Sequence, residues 1–321
     1  YLIIVLTLAM SFLLMPLLAV EQAEKEGSDS QIGTSSIKEN ENTESEHFEP
    51  LNEIKLYLKD EDKIESIDSE EYILGVVAAE MQADYDIEAI KAQALASYTF
   101  AYFRHIQNSE QGNEYDITND TANDQGYLDS IGRQAKWGDK YAEYEEKVVS
   151  AVKSIKNQLI VYKNAPILAA YHAISCGNTE RATNVWNTDY PYLQSENSIG
   201  DLLSPDFLSE VKLTTENFTA KLRELGCEVT GEPSKYIGKI AKSDAGYVTN
   251  ITLGGKKFTG DKIRETFSLR SASFDLIFKE DTFIFTVSGY GHGVGMSQFG
   301  ANYMAEQGST YDEIISAYYR G

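Results

Sequence analysis

The sequence has few cysteines, few prolines and a shortage of positive charge, and each shortage excludes a class of protein. Two cysteines, Cys176 and Cys227, exclude a disulfide-dense small scaffold and a four-cysteine zinc ribbon, and leave one disulfide open. Six prolines exclude a collagen-like chain. Lys and Arg total 28 against 50 Asp and Glu, a formal net charge of −22. The chain therefore lacks the basic footprint of sequence-independent binding to DNA or RNA, and we expect no nucleic-acid partner.

Apolar and aromatic residues are plentiful enough for a folded core. Hydrophobic residues make up 42% of the 321 residues, with 21 Tyr and 13 Phe among them. A chain of this composition can bury enough apolar surface to fold, which excludes a wholly disordered protein. The length suits one large domain or two ordinary ones.

Residues 1–20 carry no charge. A helix of this length, at about 1.5 Å per residue, spans the roughly 30 Å hydrocarbon core of a bilayer. A transmembrane anchor and a cleaved signal segment both remain open, since no basic n-region precedes the run. The run is long for the apolar part of a signal peptide, which favours the anchor. In either case we expect the rest of the chain to be exported.

Residues 21–50 differ sharply in composition from the remainder of the chain. They hold nine acidic residues, two lysines and one aromatic residue. Such a segment cannot bury enough apolar surface to offset the entropy lost on ordering, which predicts an acidic, disordered linker. The predicted layout is a membrane or signal segment over 1–20, a linker over 21–50 and a folded domain over 51–321.

Helix and strand patterns fill the predicted folded domain. Asp68, with a glutamate three residues on, predicts a helix over 69–80, and Asp86 predicts a second helix from residue 87 to about 106. The other predicted elements are a strand over 52–59, a polar loop over 107–138, a surface helix over 140–158, strands over 159–162 and 167–171 turned at 164–166, a helix over 214–226, strands over 247–253, 274–278 and 283–287, a short helix over 261–266, and helices over 295–307 and 311–319. Because the order is mixed without strict βαβ alternation, we predict an α+β fold.

Glu80 ends a nearly apolar predicted helix. A carboxyl group in that place is expected to be partly desolvated, which raises its pKa toward that of a general acid. The alternative interpretation is a solvated surface glutamate at a helix end, since most glutamates are exposed.

The second predicted helix carries Lys91, Gln93, Tyr98 and Arg104. Lys91 and Tyr98 are seven residues apart, so about two helical turns place them on one face, where they could line a polar groove. They could equally be a solvated charge and a core aromatic residue.

His172 and Cys176 lie four residues apart after a predicted strand. Both side chains ligate zinc, but a site needs about three or four ligands, and the sequence has no His-Glu-x-x-His pattern. A thiolate nucleophile beside a histidine is a further interpretation. The alternative is a histidine at the end of a buried strand and a small buried thiol.

Residues 289–300, GYGHGVGMSQFG, alternate glycine with other residues. Alternating glycines permit positive φ and a close approach of the backbone to a ligand. His292, Ser297 and Gln298 add polar side chains where a helix is expected to begin, so we predict a ligand-contacting loop. The lack of a lysine excludes a phosphate-binding P-loop, and a tight glycine turn is the alternative.

Four segments together resemble the stage II sporulation protein D family, whose domain is shared with the amidase enhancers. They are residues 71–81 (EYILGVVAAEM), 87–98 (IEAIKAQALASY), 171–180 (YHAISCGNTE) with Val185 and Trp186, and 289–301, which close on 318–321; residues 269–271 also fit. They occur in order across about residues 51–321. Cys176 departs from the pattern, since glycine or alanine is frequent there, and Phe299 stands where tyrosine is also common.

The resemblance implies a lytic transglycosylase that acts on peptidoglycan during engulfment, with Glu80 as its catalytic acid. Its implied product is a 1,6-anhydro muramic end, and its implied substrate is glycan strands stripped of stem peptides by a partner amidase, the stage II sporulation protein P. Other engulfment membrane proteins are implied partners. The implied location is the extracytoplasmic space between mother cell and forespore, with the chain held by its N-terminal segment. No cofactor is required, although zinc held by His172 and Cys176 is a candidate.

A set of side chains is expected to position the sugars by hydrogen bonds and stacking. These are Lys91, Gln93, Tyr98, Tyr171, His172, Ser175, His292, Ser297 and Gln298. Two other functions stay open. One is a non-catalytic, peptidoglycan-binding activator of an amidase, and the other is a metal hydrolase built on His172 and Cys176.

Overall fold

The computed structural model describes residues 48–321. The predictions for residues 1–20, and almost all of the linker predicted over 21–50, lie outside the described residues. Within residues 48–321 no helix is both long and apolar enough to cross a membrane. Helices and several small sheets alternate without a regular pattern, so the α+β class is confirmed.

The elements follow one another in mixed order. The α-helices are α1 (Ser69–Glu80), α2 (Ile87–Glu110), α3 (Ser130–Trp137), α4 (Tyr141–Ser154), α5 (Ala182–Trp186), α6 (Thr215–Glu224), α7 (Gly260–Phe267), α8 (Gln298–Glu306) and α9 (Tyr311–Tyr318). The strands are β1 (Glu53–Leu58), β2 (Lys63–Asp68), β3 (Ile117–Thr118), β4 (Val161–Tyr162), β5 (Ala165–Pro166), β6 (Tyr171–His172), β7 (Leu208–Thr214), β8 (Ile237–Lys242), β9 (Val248–Leu253), β10 (Lys256–Thr259), β11 (Phe274–Lys279), β12 (Thr282–Ser288) and β13 (Met296–Ser297).

The first hydrophobic core surrounds α2. This helix contacts α1, α4, α8 and α9, and its alanines between Ala89 and Ala101 are fully buried. Small side chains let neighbouring helices approach closely, and a helix that is apolar on nearly all sides is stable only in the interior. The sequence of α2 therefore places it at the centre of the helical part of the chain.

The first turn of α1 is held by the side chain of Asp68. Its carboxylate accepts hydrogen bonds from the backbone N–H groups of Glu70 at 3.0 Å and Glu71 at 3.2 Å, as the sequence predicts. Strand β2 pairs antiparallel with β1 and leads directly into this cap, while β3 pairs parallel with β1. The apolar helix α1 thus begins directly at the edge of a short sheet, and Glu80 is the last residue of this helix.

Strands β6 and β13 pair in parallel and join two segments far apart in the chain. Tyr171 lies opposite Met296 and His172 opposite Ser297. Gly295 adopts φ +73° beside this pair, and a Cβ there would lie 2.0 Å from the carbonyl oxygen of Ala170. Positive φ in this loop is confirmed, but the close approach that glycine permits here is to the chain's own backbone.

A second hydrophobic core lies in the C-terminal half. Sheets of order β11-β12-β7 and β10-β9-β8 enclose it with α6 and α7. Strand β12 alternates fully buried Phe283, Phe285 and Val287 with more exposed residues, which is the period of a half-buried strand. Phe218 of α6 is stacked on Phe283 with 3.7 Å between ring centroids.

The helices predicted over 69–80, 87–106, 140–158 and 311–319 are confirmed, with ends shifted by a few residues. The polar loop predicted over 107–138 is wrong in its last part, where α3 forms. The guanidinium of Arg133 on α3 is buried and pairs with Glu71 at 2.8 Å and Glu145 at 3.0 Å. These partners are 62 and 12 residues away, so the local sequence does not show them.

Two further predictions are corrected around the glycine loop and the β4–β5 hairpin. The turn lies at Lys163 and Asn164, which have positive φ, and Ala165–Pro166 is already paired with Val161–Tyr162. The helix predicted over 295–307 begins only at residue 298, because the two residues before it pair with β6. Strands β2, β3, β7, β8, β10 and β13 and helix α5 were not predicted. The strand predicted over 167–171 is wrong except at Tyr171, which belongs to β6.

Replacing Phe218 tests whether the second core carries stability. Phe218→Ala removes a fully buried ring and leaves a cavity, so we expect the free energy of unfolding to fall by about 3–5 kcal/mol. Ile277→Ala on β11 is the control, since this side chain is 52% exposed and its loss is expected to cost about 0.5 kcal/mol. Urea denaturation measures both, and equal losses would contradict the assignment of this core.

Candidate active site

A large groove crosses the surface beside the end of α1. Its volume is about 1340 Å³, and Glu80, Gln125, Tyr171, His172, His292 and Gln298 are among its lining residues. Typical small-molecule pockets enclose about 300–1000 Å³. The groove is therefore large enough for several units of an extended polymer.

The Glu80 carboxyl group lies in this groove at the C-terminal end of α1. Its Oε1 accepts a hydrogen bond from the backbone N–H of Gly126 at 2.5 Å. Burial raises the pKa of Glu80, and the Gly126 bond and the charge of Lys136 oppose that shift without cancelling it. The partial negative charge at a helix C-terminus also disfavours a carboxylate. The expected desolvation of Glu80 is confirmed, and the group is suited to hold a proton.

Gln125 and Tyr171 form a polar wall beside Glu80. The Tyr171 hydroxyl donates to Oε1 of Gln125 at 2.9 Å, and Nε2 of Gln125 donates to the backbone carbonyl of Ser97 at 3.2 Å. Burial raises the pKa of the Tyr171 phenol well above its usual value, and the charge of Glu80 adds to the shift. Tyr171 is therefore a neutral hydrogen-bonding group next to the carboxyl.

His172 and His292 lie against each other in the groove. Their ring centroids are 5.7 Å apart, and the ring of His292 lies 5.2 Å from that of Trp186. Burial lowers the pKa of His172 to about 3 and that of His292 to about 4, so both rings are neutral at pH 7. Nδ1 of His172 lies 3.2 Å from the carbonyl oxygen of Val294, while its Nε2 is buried with no hydrogen-bond partner among the described residues.

Gln298 connects the groove to the centre of α2. Its Nε2 donates to Oε1 of Gln93 at 3.1 Å, and Nε2 of Gln93 donates to Oγ of Ser97 at 3.0 Å. Gln93 is fully buried, so it orients Gln298 from behind and does not reach the groove itself.

Ser175 and Ser297 meet at the buried carboxylate of Asp201. The backbone N–H of Ser175 donates to Asp201 at 2.9 Å, and Oγ of Ser297 donates to it at 2.8 Å. Both serines are fully buried and neither lines the groove. They hold together the chain segments behind the groove. The prediction that these two serines contact sugars is therefore wrong.

Lys91 and Tyr98 lie away from the groove. Lys91 pairs with Glu88 at 2.6 Å and lies 5.8 Å from the centre of the Tyr311 ring. Tyr98 is 6% exposed, and its hydroxyl accepts the backbone N–H of Leu51 at 3.1 Å. Helix α2 is packed on nearly all sides. Two residues on one of its faces therefore contact neighbouring parts of the chain, and the predicted groove on that face is not found.

The thiol of Cys176 is hydrogen-bonded to a backbone carbonyl group. Its Sγ lies 3.1 Å from the carbonyl oxygen of Ala245, and burial raises its pKa, which disfavours a thiolate. Both cysteines are free. Residues 48–321 hold no group of three or more His, Cys, Asp or Glu side chains arranged to bind a metal ion. His172 and Cys176 thus gain no further ligand from the described chain, and the residues present do not fit a zinc site.

Four groove residues were not among the site residues predicted from the sequence. Gln125 gives no local signal, because its partner Tyr171 is 46 residues away. Trp186, Arg264 and Tyr290 also line the groove. Trp186 and Tyr290 stand in segments that carry the family resemblance, and that is the signal that could have been used.

Comparison with known proteins identifies the family. The family model described as stage II sporulation protein matches residues 57–162. Stage II sporulation protein D of Bacillus amyloliquefaciens is 34% identical over 320 residues, which cover 99% of this chain and 92% of the relative. The chain belongs to the stage II sporulation protein D family.

Two further relatives show how far the likeness to this family extends. Stage II sporulation protein D of Bacillus subtilis (strain 168) is 38% identical over 84% of this chain and 77% of the relative. An amidase enhancer of the same organism is 27% identical over 77% of this chain and 39% of its own length. The matched family region contains Glu80 and Gly126, whereas His172 and the glycine loop lie beyond it.

The buried carboxyl of Glu80 predicts a pH-dependent change in stability. Folding raises the pKa of Glu80 above its ordinary value of 4.5, so the folded chain binds this proton more tightly than the unfolded chain does. The free energy of unfolding therefore falls as the pH rises above that ordinary value and the buried group ionises. Glu80→Gln keeps an acceptor for Gly126 and removes the charge. We expect it to raise the free energy of unfolding at pH 7, with the gain shrinking at pH 4.

Urea denaturation of wild type and variant at the two pH values measures this difference. Glu110→Gln is the matched control, because Glu110 also ends a helix but is exposed. A gain that is as large at pH 4 as at pH 7 would contradict the desolvation of Glu80.

Proposed function

We propose that the protein is a peptidoglycan lytic transglycosylase that uses Glu80 as general acid and then as base. The observation that carries this proposal is a carboxyl group with a raised pKa in a groove large enough for a glycan strand. Membership of the stage II sporulation protein D family supports a role in sporulation.

Among the carboxylates that line the groove, Glu80 is the one that neither pairs with an arginine nor is exposed. Asp124 pairs with Arg104 at 2.7 Å, Asp206 pairs with Arg270 at 3.1 Å, and Asp84 is exposed. Glycoside hydrolases of the usual kind need a second carboxylate as base or nucleophile. A transglycosylase needs one, because a hydroxyl of the substrate is the nucleophile.

The proposed reaction consumes no water. Protonated Glu80 gives its proton to the oxygen that links C1 of N-acetylmuramic acid to the next sugar, and the C1–O bond breaks. The C6 hydroxyl of the same muramic unit then attacks C1, and the Glu80 carboxylate takes its proton. The products are a free 4-hydroxyl and a 1,6-anhydro end, and Glu80 is again protonated.

The groove offers contacts that could position a strand for this step. Trp186 and Tyr290 are 36% and 48% exposed and provide aromatic surface for sugar faces. Nδ1 of His292 accepts the N–H of Val294 at 3.1 Å, so in the neutral ring Nε2 carries the proton, which interacts with the backbone carbonyl of Tyr171. Positioning must supply most of the acceleration, since acid–base catalysis contributes about 10²–10⁴-fold.

The proposed setting is the extracytoplasmic space between mother cell and forespore, with the chain attached to a membrane through its N-terminal segment. We propose stripped glycan strands as substrate, with the stage II sporulation amidase, protein P, and other engulfment membrane proteins as partners. An amidase that removes stem peptides would supply strands of the required kind.

The identity of the product tests the proposal. The purified chain is incubated with peptide-free glycan strands, and the products are analysed by mass spectrometry. We expect ends lighter by one water than hydrolysed ends, and a loss of at least about 10²-fold in rate for Glu80→Gln. Glu110→Gln is expected to retain full activity, because its carboxylate is exposed at another helix end.

Two results would contradict this assignment. Full-weight reducing ends would indicate a hydrolase and require a second carboxylate. Substantial turnover by Glu80→Gln, with the product unchanged, would remove Glu80 from the reaction.

A second candidate function is a peptidoglycan-binding activator of an amidase. The likeness to a protein named amidase enhancer favours it. This function predicts that the chain binds strands without cleaving them and raises the rate of a purified amidase. It further predicts that Glu80→Gln leaves that stimulation unchanged, which separates the two proposals.

A further inference from the structure

Three arginines line the groove, and they differ in their partners. Arg104 pairs with Asp124, and Arg270 pairs with Asp206 and lies 5.3 Å from the centre of the Tyr290 ring. Within residues 48–321 the guanidinium of Arg264 forms neither an ion pair nor a hydrogen bond.

Helix α7 holds Arg264 in place. Oγ1 of Thr259 caps the helix by accepting the N–H of Lys262 at 3.2 Å, and Ile263 and Phe267 are buried in the second core. A Cβ at Gly260 would lie 1.9 Å from the carbonyl oxygen of Val248, so the helix start lies directly on β9. Arg264 is therefore mounted on a rigid element, and only its side chain is free to adapt.

The titratable neighbours of Arg264 form no ion pair with it. His172 and His292 are close enough that the Arg264 charge adds to the lowering of their pKa by burial, and both are neutral. Asp261, one turn earlier, interacts with the Arg264 charge over a longer distance, and burial raises the pKa of Asp261. Among the described residues, no carboxylate is in direct contact with the guanidinium.

Two groove residues have hydrogen-bonding groups without a partner among the described residues. The guanidinium of Arg264 offers a planar fork of donors that matches a carboxylate in two-point geometry. Nδ1 of neutral His172 donates to the carbonyl of Val294, so the buried, unpartnered Nε2 of His172 is an acceptor. Nε2 therefore suits a sugar hydroxyl or an amide N–H, and the carboxylate falls to Arg264.

We propose that Arg264 is a specificity-determining residue that binds the free lactyl carboxylate of N-acetylmuramic acid. This inference rests on the proposed function and adds to it. The stem peptide is attached to that carboxyl through an amide, so the negative charge exists only on strands from which the peptide has been removed. Arg264 then selects stripped strands, because an amide offers neither the charge nor the two-point geometry.

Equilibrium binding tests the proposal without depending on turnover. All measurements are made in full chains that carry Glu80→Gln, with a peptide-free octasaccharide of alternating N-acetylglucosamine and N-acetylmuramic acid. The second probe is the octasaccharide of N-acetylglucosamine alone, which has no lactyl group. Adding Arg264→Gln is expected to weaken binding of the muramic probe about tenfold and to leave the other probe unchanged.

Arg223→Gln is the matched control. Arg223 is exposed on α6, does not line the groove, and its replacement changes the net charge by the same amount. It is expected to bind both probes as the parent does. Arg264→Lys keeps the charge and loses the fork, so we expect an intermediate loss for the muramic probe alone.

The outcomes separate this inference from the proposed function. If the parent binds the muramic probe and Arg264→Gln changes nothing, or weakens both probes equally, the role of Arg264 is overturned and the proposed function stands. If the parent binds neither probe, the proposed substrate fails and this inference fails with it. Should Arg264→Gln fail to fold, Arg264→Lys decides by the same comparison.

Discussion

The pairing of two very short strands holds the groove together. β6 and β13 are bonded over two residues each, yet they join His172 to a loop more than a hundred residues later. Beside this pair, His172 lies against His292, and Tyr171 of β6 reaches Gln125. It depends on a glycine at position 295, since any side chain there would meet the carbonyl of Ala170. Main-chain pairing thus positions the groove residues, and their side chains determine the polarity and pKa values of the groove.

Burial sets the chemistry of the groove more than charge does. The same desolvation raises the pKa of Glu80 and lowers the pKa of His172 and His292, so all three are biased toward their neutral forms. The charges that remain are mostly paired, as with Asp124 and Arg104.

The sequence predicts those features that are determined locally. A capping aspartate and an apolar run locate α1 and Glu80, and alternating glycines mark the loop that brings His292 and Gln298 to the groove. Features that depend on distant partners could not be predicted. Arg133 of helix α3 pairs with Glu71 and Glu145, and no local pattern reveals these partners, although Asp129 caps the helix locally.

Helical spacing also fails where a helix is packed on several sides. Lys91 and Tyr98 share a face of α2, but that face lies against other parts of the chain. Ser175 and Ser297 have the residue type of sugar ligands, but both are buried and bonded to Asp201, which lies 26 residues from Ser175 and 96 from Ser297.

The donor that contacts the Glu80 carboxyl is a main-chain amide. Side-chain replacements in the loop that carries Gly126 leave such a donor in place, whereas an inserted or deleted residue would move it. The part of the Glu80 pKa that comes from this hydrogen bond, which opposes the larger effect of burial, is therefore encoded in the length and path of a loop. Side chains along this loop, apart from bulk at Gly126 itself, can vary while the hydrogen bond is kept.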